Sequence, residues 1–140
     1  RMPTTRRKVL LTTLMAPMLV AFSGRNPSLA AGDSMGKVAM ISSDELAGML
    51  KRKDFAFVNV HIPYEGEIEG TDAFIPFDKM DENLDKLPKD KNAKVVLYCR
   101  SGRMSAVAAK RLAELGYTQV SDLTGGMNAW EASGRQILKK

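Results

Sequence analysis

The chain has 140 residues, with 21 Lys+Arg against 16 Asp+Glu and a formal charge of +5. That length holds one domain, and 44% hydrophobic with 26% charged residues is a globular composition, not a disordered one. One cysteine excludes an internal disulfide framework, and one histidine excludes a His/Cys zinc cluster.

Residues 1–30 carry Arg1, Arg6, Arg7, Lys8 and Arg25 and no acid. Those five account for the whole positive excess, so the remainder is neutral overall and nucleic acid is not an indicated partner. The segment has the parts of an export signal. A basic start ends at Lys8, an apolar run follows from Val9 to Phe22, and Ser28-Leu29-Ala30-Ala31 offers small residues for cleavage. The run is about 14 residues long, short of the roughly 20 that span a bilayer, and Pro17 interrupts it. No stable membrane insertion is therefore expected after cleavage. Thr5-Arg6-Arg7-Lys8-Val9-Leu10 resembles a twin-arginine signal, which directs folded proteins out of the cytoplasm. The expectation is a periplasmic or otherwise exported protein, with residues 31–37 as a flexible lead-in and one domain over residues 38–138.

Val38 to Ile41 reads as a first strand. Ser42-Ser43-Asp44-Glu45 is a capping box, opening a helix with Leu46, Met49 and Leu50 on one face and an end near Lys51. Phe55 to Val60 is rich in β-formers and reads as a second strand. His61 to Asp72 is a loop with Pro63, two glycines and three glutamates. Phe74-Ile75 is a short third strand, and Asp81 to Leu87 a short helix stopped by Pro88. Val95-Val96-Leu97-Tyr98 is apolar throughout, as in a parallel strand buried on both faces. Cys99 to Met104 is a turn, and Ser105 to Leu115 a helix ended by Gly116. Gln119 to Leu123 is the last strand, followed by Gly125-Gly126 and a helix from Met127 to Ala132. Strands alternate with helices, so the class is α/β with a mainly parallel sheet.

Ligands of open α/β sheets bind beyond the carboxyl ends of strands. Cys99 occupies such a place, between the most apolar strand and a helix. The turn Cys99-Arg100-Ser101-Gly102-Arg103-Met104 can curl its N–H groups into a nest, and the helix dipole and two arginines add positive potential. Each effect favours a thiolate. Gly102 allows the backbone a tight cradle.

Two motifs then resemble the single-domain rhodaneses, a sulfurtransferase family. Cys99-Arg100-Ser101-Gly102-Arg103-Met104-Ser105 is similar to its active-site loop, and Leu123-Thr124-Gly125-Gly126-Met127-Asn128-Ala129-Trp130 to its C-terminal signature. The resemblance implies a rhodanese-like fold, with a five-stranded, mainly parallel sheet flanked by helices. It implies a catalytic Cys99 that takes a sulfane sulfur from a small anionic donor such as thiosulfate. The persulfide, bound by Arg100, Ser101, Gly102, Arg103, Met104 and Ser105, would pass its outer sulfur to a thiophilic acceptor, a small molecule or a partner protein. Neither cofactor nor metal is implied. Two stretches depart from the family. Asn59-Val60-His61 stands where many relatives carry Asp-Val-Arg, and Gly66-Glu67-Ile68-Glu69-Gly70-Thr71 where they carry Gly-His-Ile-x-Gly-Ala. Charged partners that brace the loop are thereby lost, and His61 is expected to brace rather than to act as a base. Glu65, Glu67 and Glu69 read as a solvated loop, and Trp130 as core packing.

Two other readings compete. A non-enzymatic exported sulfur carrier or interaction module would use the same persulfide. A phosphatase of the same fold needs Cys-x5-Arg, and six residues after Cys99 stands Ser105. The shorter loop suits one sulfur atom better than a phosphate.

Overall fold

The computed structural model describes residues 38–139. Residues 1–30, expected to be an export signal, and residues 31–37, expected to be a lead-in, lie outside the described residues. Five strands form one sheet: β1 (Ala39–Ile41), β2 (Ala56–Asn59), β3 (Ala73–Phe74), β4 (Lys94–Tyr98) and β5 (Gln119–Leu123). Their order is β1-β5-β4-β2-β3 and every adjacent pair is parallel. The helices are α1 (Ser43–Leu50), α2 (Arg103–Glu114) and α3 (Gly126–Ala132), with a 3-10 segment at Asp81–Lys86.

β4 is central because its side chains can be buried on both faces. Val95, Leu97 and Cys99 point to one layer, with Ala108, Ala109 and Leu112 of α2. Val96 and Tyr98 point to the other, with Leu46 of α1 and Met127 and Trp130 of α3. The period-2 alternation of a strand thus splits one apolar run between two cores. α1 starts where its capping box places it. Ser42 Oγ accepts the Glu45 N–H at 3.1 Å and Glu45 Oε1 accepts the Ser42 N–H at 2.8 Å. Such a cap contributes about 1 kcal/mol and fixes Leu46 toward the core.

Three expectations shift. α2 begins at Arg103, two residues before the expected Ser105, because Gly102 takes a left-handed φ of +109° and serves as its N-cap. The expected helix of residues 81–87 is 3-10, broken at Asn83, whose φ of −127° leaves the helical region. The third strand is Ala73–Phe74 rather than Phe74-Ile75, although the Ile75 N–H still donates to the Asn59 carbonyl at 2.9 Å.

Loop 61–72 closes over the end of the sheet. Besides the ion pairs of Glu65 with Arg100 and of Asp72 with Lys53, its buried bracing is neutral, where charged partners are missing from the sequence. Asn59 is fully buried; its Nδ2 donates to the Gly66 carbonyl at 2.9 Å and its Oδ1 accepts the His61 N–H at 3.0 Å. Tyr98, also buried, accepts the Ile68 N–H on its hydroxyl at 2.9 Å and lies 2.8 Å from Thr71 Oγ1. Burial pushes the Tyr98 phenol up to about 12.

Candidate active site

Cys99 follows directly on β4 and its residue surface is 1% exposed. The left-handed Gly102 turns the chain so that its N–H donates to Cys99 Sγ at 2.9 Å. A backbone whose N–H groups turn toward the sulfur sends its carbonyls the other way. There α3 meets them: the Met127 N–H donates to the Cys99 carbonyl at 2.9 Å, and the Asn128 N–H to the Arg100 carbonyl at 3.0 Å. Gly126 makes the approach possible. A Cβ there would overlap the Cys99 carbonyl oxygen and lie 2.8 Å from the Arg100 carbonyl carbon and oxygen.

A cavity of about 330 Å³ opens at the sulfur, lined by His61, Phe77, Ser101, Arg103, Met104 and Val107. Of the sequence-predicted residues, Ser101, Arg103 and Met104 therefore share the cavity with Cys99, and Gly102 supplies the N–H. Ser105 is fully buried, with Oγ 3.5 Å from the sulfur. Arg100 is elsewhere. It pairs with Glu65 at 3.6 Å and Glu131 at 3.9 Å, beside a separate cleft formed with Tyr64 and Lys139. Arg100 was expected among the residues that bind the persulfide; its side chain lies against Glu65 and Glu131 rather than among the residues lining the Cys99 cavity. Two acids opposite its side chain draw it away from the sulfur.

His61 reaches the site from the end of β2. Its ring nitrogens are buried without a hydrogen-bond partner. Nε2 stands 3.3 Å from Glu65 Oε1 but off hydrogen-bond alignment. The bracing expected of His61 thus comes from its backbone N–H onto Asn59, while its ring faces the Cys99 cavity. A larger cleft, about 630 Å³, lies at the amino ends of β1, β4 and β5 beside Val38, Lys94 and Gln119. Its lining contains no cysteine, histidine or carboxylate. Trp130 packs in the core as expected. Glu65 and Glu67 make polar contacts with Arg100 and Tyr64, and no cluster of His, Cys, Asp or Glu among the described residues is placed to hold a metal.

One residue was missed in the sequence. Asp122, on β5, is 2% exposed and accepts the Ser105 hydroxyl on Oδ1 at 2.6 Å. Burial pushes its carboxyl above the usual range, and the Ser105 hydrogen bond offsets part of that. The available signal was an acid inside a parallel strand, where apolar residues are the rule.

The family model of the rhodanese-like domain matches residues 42–133. A sulfurtransferase of Allochromatium vinosum is 35% identical over 103 residues, covering 70% of this chain and 92% of that one. A thiosulfate sulfurtransferase of Escherichia coli is 32% identical over 71 residues, covering 49% of this chain and 68% of that one. Several other relatives are longer, and this chain spans less than half of each. Among solved structures, a rhodanese-like domain protein of Staphylococcus aureus superposes with a TM-score of 0.61 at 28% identity, covering 74% of this chain and all of that one.

Proposed function

The chain belongs to the rhodanese-like domain family, and from that premise we propose that it transfers a sulfane sulfur through a persulfide on Cys99. The observation that carries this reading is the sulfur itself: Cys99 Sγ receives the Gly102 N–H on the floor of a cavity that Arg103 also lines. A thiolate there attacks the outer sulfur of a donor such as thiosulfate. A new S–S bond forms, the donor's S–S bond breaks, and sulfite leaves with the bonding pair. An acceptor such as cyanide or a thiolate then attacks the outer sulfur, and the Cys99 thiolate is restored. Two half-reactions through a covalent intermediate give ping-pong kinetics. Arg103 attracts the anionic donor and steadies the departing sulfite. Arg100 holds the loop against loop 61–72 through Glu65.

The test is thiocyanate formation from thiosulfate and cyanide by the purified chain, with Cys99→Ser as control. Turnover lost in the variant supports the enzyme. A Cys99 persulfide without turnover supports a carrier that delivers to a partner protein. Failure of Cys99 to take up sulfur from thiosulfate overturns the sulfur reading. Residues 1–30 support placing this chemistry outside the cytoplasm, which the intact mass of the protein recovered from that compartment tests.

A further inference from the structure

Behind the Cys99 sulfur, on the side away from the cavity, stands a chain of two buried groups that sulfur transfer leaves unused. Ser105 Oγ lies 3.5 Å from Cys99 Sγ and 2.6 Å from Asp122 Oδ1. Cys99, Ser105 and Asp122 are each at most 2% exposed. Among the described residues no cation stands within ion-pair distance of Asp122. Its register partners are Met40 on β1 and Leu97 on β4. A carboxylate in that setting is short of stabilisation, and the Ser105 hydroxyl is its hydrogen-bond donor.

We propose that Asp122 is the proton acceptor of Cys99, reached through the Ser105 hydroxyl. This rests on the reading of Cys99 as the nucleophile. The hydroxyl has one proton, and the 2.6 Å contact to Asp122 takes it in preference to the 3.4 Å contact to the Gly102 carbonyl. The Ser105 lone pairs then face the sulfur, where they accept the thiol proton. When Cys99 ionises, its S–H bond breaks and the proton passes to Ser105 Oγ. The Ser105 O–H bond breaks in turn and its proton passes to Asp122 Oδ1. The sulfur keeps the electron pair, and the negative charge moves from the carboxylate to the sulfur. No outside acceptor takes part. In the new arrangement the Ser105 hydroxyl donates to the thiolate, beside the donation from Gly102. Ser105 touches the reacting atom, whereas Asp122 acts through it and is a positioning residue.

Other titratable or charged groups face the sulfur from the cavity side. His61 comes from the end of β2 and Arg103 from the first turn of α2. Arg100, on the loop, is engaged by Glu65 and Glu131. None of them adjoins Ser105 Oγ, so the two directions can be separated by substitution.

Cys99 is the one cysteine of the chain, so an uncharged alkylating reagent reports on it alone. The experiment is the rate of Cys99 alkylation by iodoacetamide between about pH 4 and pH 9, the span over which carboxyls and thiols exchange protons. A thiol and a carboxyl sharing one proton titrate as a pair, in two steps. The wild-type rate is expected to rise in two steps, with a stretch between them where it changes less than about twofold per pH unit. In Asp122→Asn and in Ser105→Ala the profile should collapse to one ionisation, falling about tenfold per pH unit below its midpoint. A single step in the wild type overturns the proposal. So does a two-step profile that survives Asp122→Asn, which assigns the second step to His61. A one-step wild type that still forms the persulfide removes the relay and keeps the transferase. A two-step profile that Asp122→Asn abolishes, with no sulfur uptake, keeps the relay and removes the transferase.

Discussion

Alanine at Gly126 would set the C-terminal signature against the loop it supports. The residue has a φ of +54°, and its missing Cβ leaves room for the backbone of Cys99 and Arg100. A side chain in the left-handed region costs about 1 kcal/mol. The overlap is with backbone, which cannot swing aside as a side chain could. Relief requires α3 and the loop to separate, which weakens the two hydrogen bonds from Met127 and Asn128. At about 1 kcal/mol each, their loss brings the cost to about 2–3 kcal/mol. For a domain of this size that lowers Tm by about 8–20 °C. The same separation moves the Cys99 carbonyl by about an ångström, a displacement of a kind that can cost about 10²-fold in rate. Gly134→Ala is the control. Gly134 has a φ of +91° but open space around its missing Cβ, so it carries the conformational cost alone. Thermal unfolding by circular dichroism and thiocyanate formation are measured on both variants. Equal Tm and equal turnover in the two would refute the clash as the reason for Gly126.

Asn59→Leu should leave the Gly66 carbonyl and the His61 N–H without their partner, costing about 1–3 kcal/mol for each group left buried; chemical denaturation measures it, and an unchanged midpoint counts against the bracing role. The Tyr98 phenol is raised from 10 to about 12 in the fold, so the stability it contributes is complete below about pH 10 and is lost as pH rises toward 12. Tyrosinate absorbance should therefore show Tyr98 ionising last and together with alkaline unfolding; ionisation of every tyrosine in a folded protein would contradict this. The raised carboxyl of Asp122 has the same sign. Its neutral form is the one the fold favours, so stability falls as pH rises from the ordinary aspartate range through the raised value. Asp122→Asn should gain on the wild type in urea midpoint from acid to neutral pH, and a constant gap would show the carboxyl to be unperturbed. Arg103→Ala should raise the KM for thiosulfate several-fold more than Arg100→Ala, whose side chain pairs with Glu65 and Glu131; the reverse order would return Arg100 to the donor site.

What could be read from residues depended on how local the deciding interaction was. The capping box at Ser42, the apolar run of β4 and the stop at Gly116 each rest on neighbours within a few positions, and each stands where expected. The position of Cys99 between β4 and α2 was legible for the same reason, since strand, turn and glycine follow one another directly. The two arginines of the turn could not be told apart. Their separation is decided by Glu65 and Glu131, which belong to a loop and a helix remote in sequence. Asn59 looked like the loss of a charged brace, and only the position of the Gly66 carbonyl shows that a neutral amide replaces it. Asp122 required the register of β5 on β4, where it pairs with Leu97 at the level of the site.

The two motifs that mark this chain make one device. In the turn after β4, Gly102 directs its N–H to the sulfur, which obliges the Cys99 and Arg100 carbonyls to face the opposite way. Buried carbonyls need donors, and a helix start has N–H groups that its own turns cannot use. The first turn of α3 supplies those N–H groups from Met127 and Asn128. The approach is close enough that only glycine fits at 126, and the helix is held in place by Met127 and Trp130 in the core. The Gly102 N–H side of the loop therefore faces the sulfur, and its carbonyl side serves stability. A substitution on α3 can disable Cys99 without touching the cavity, and one in the turn can loosen α3 without touching the core.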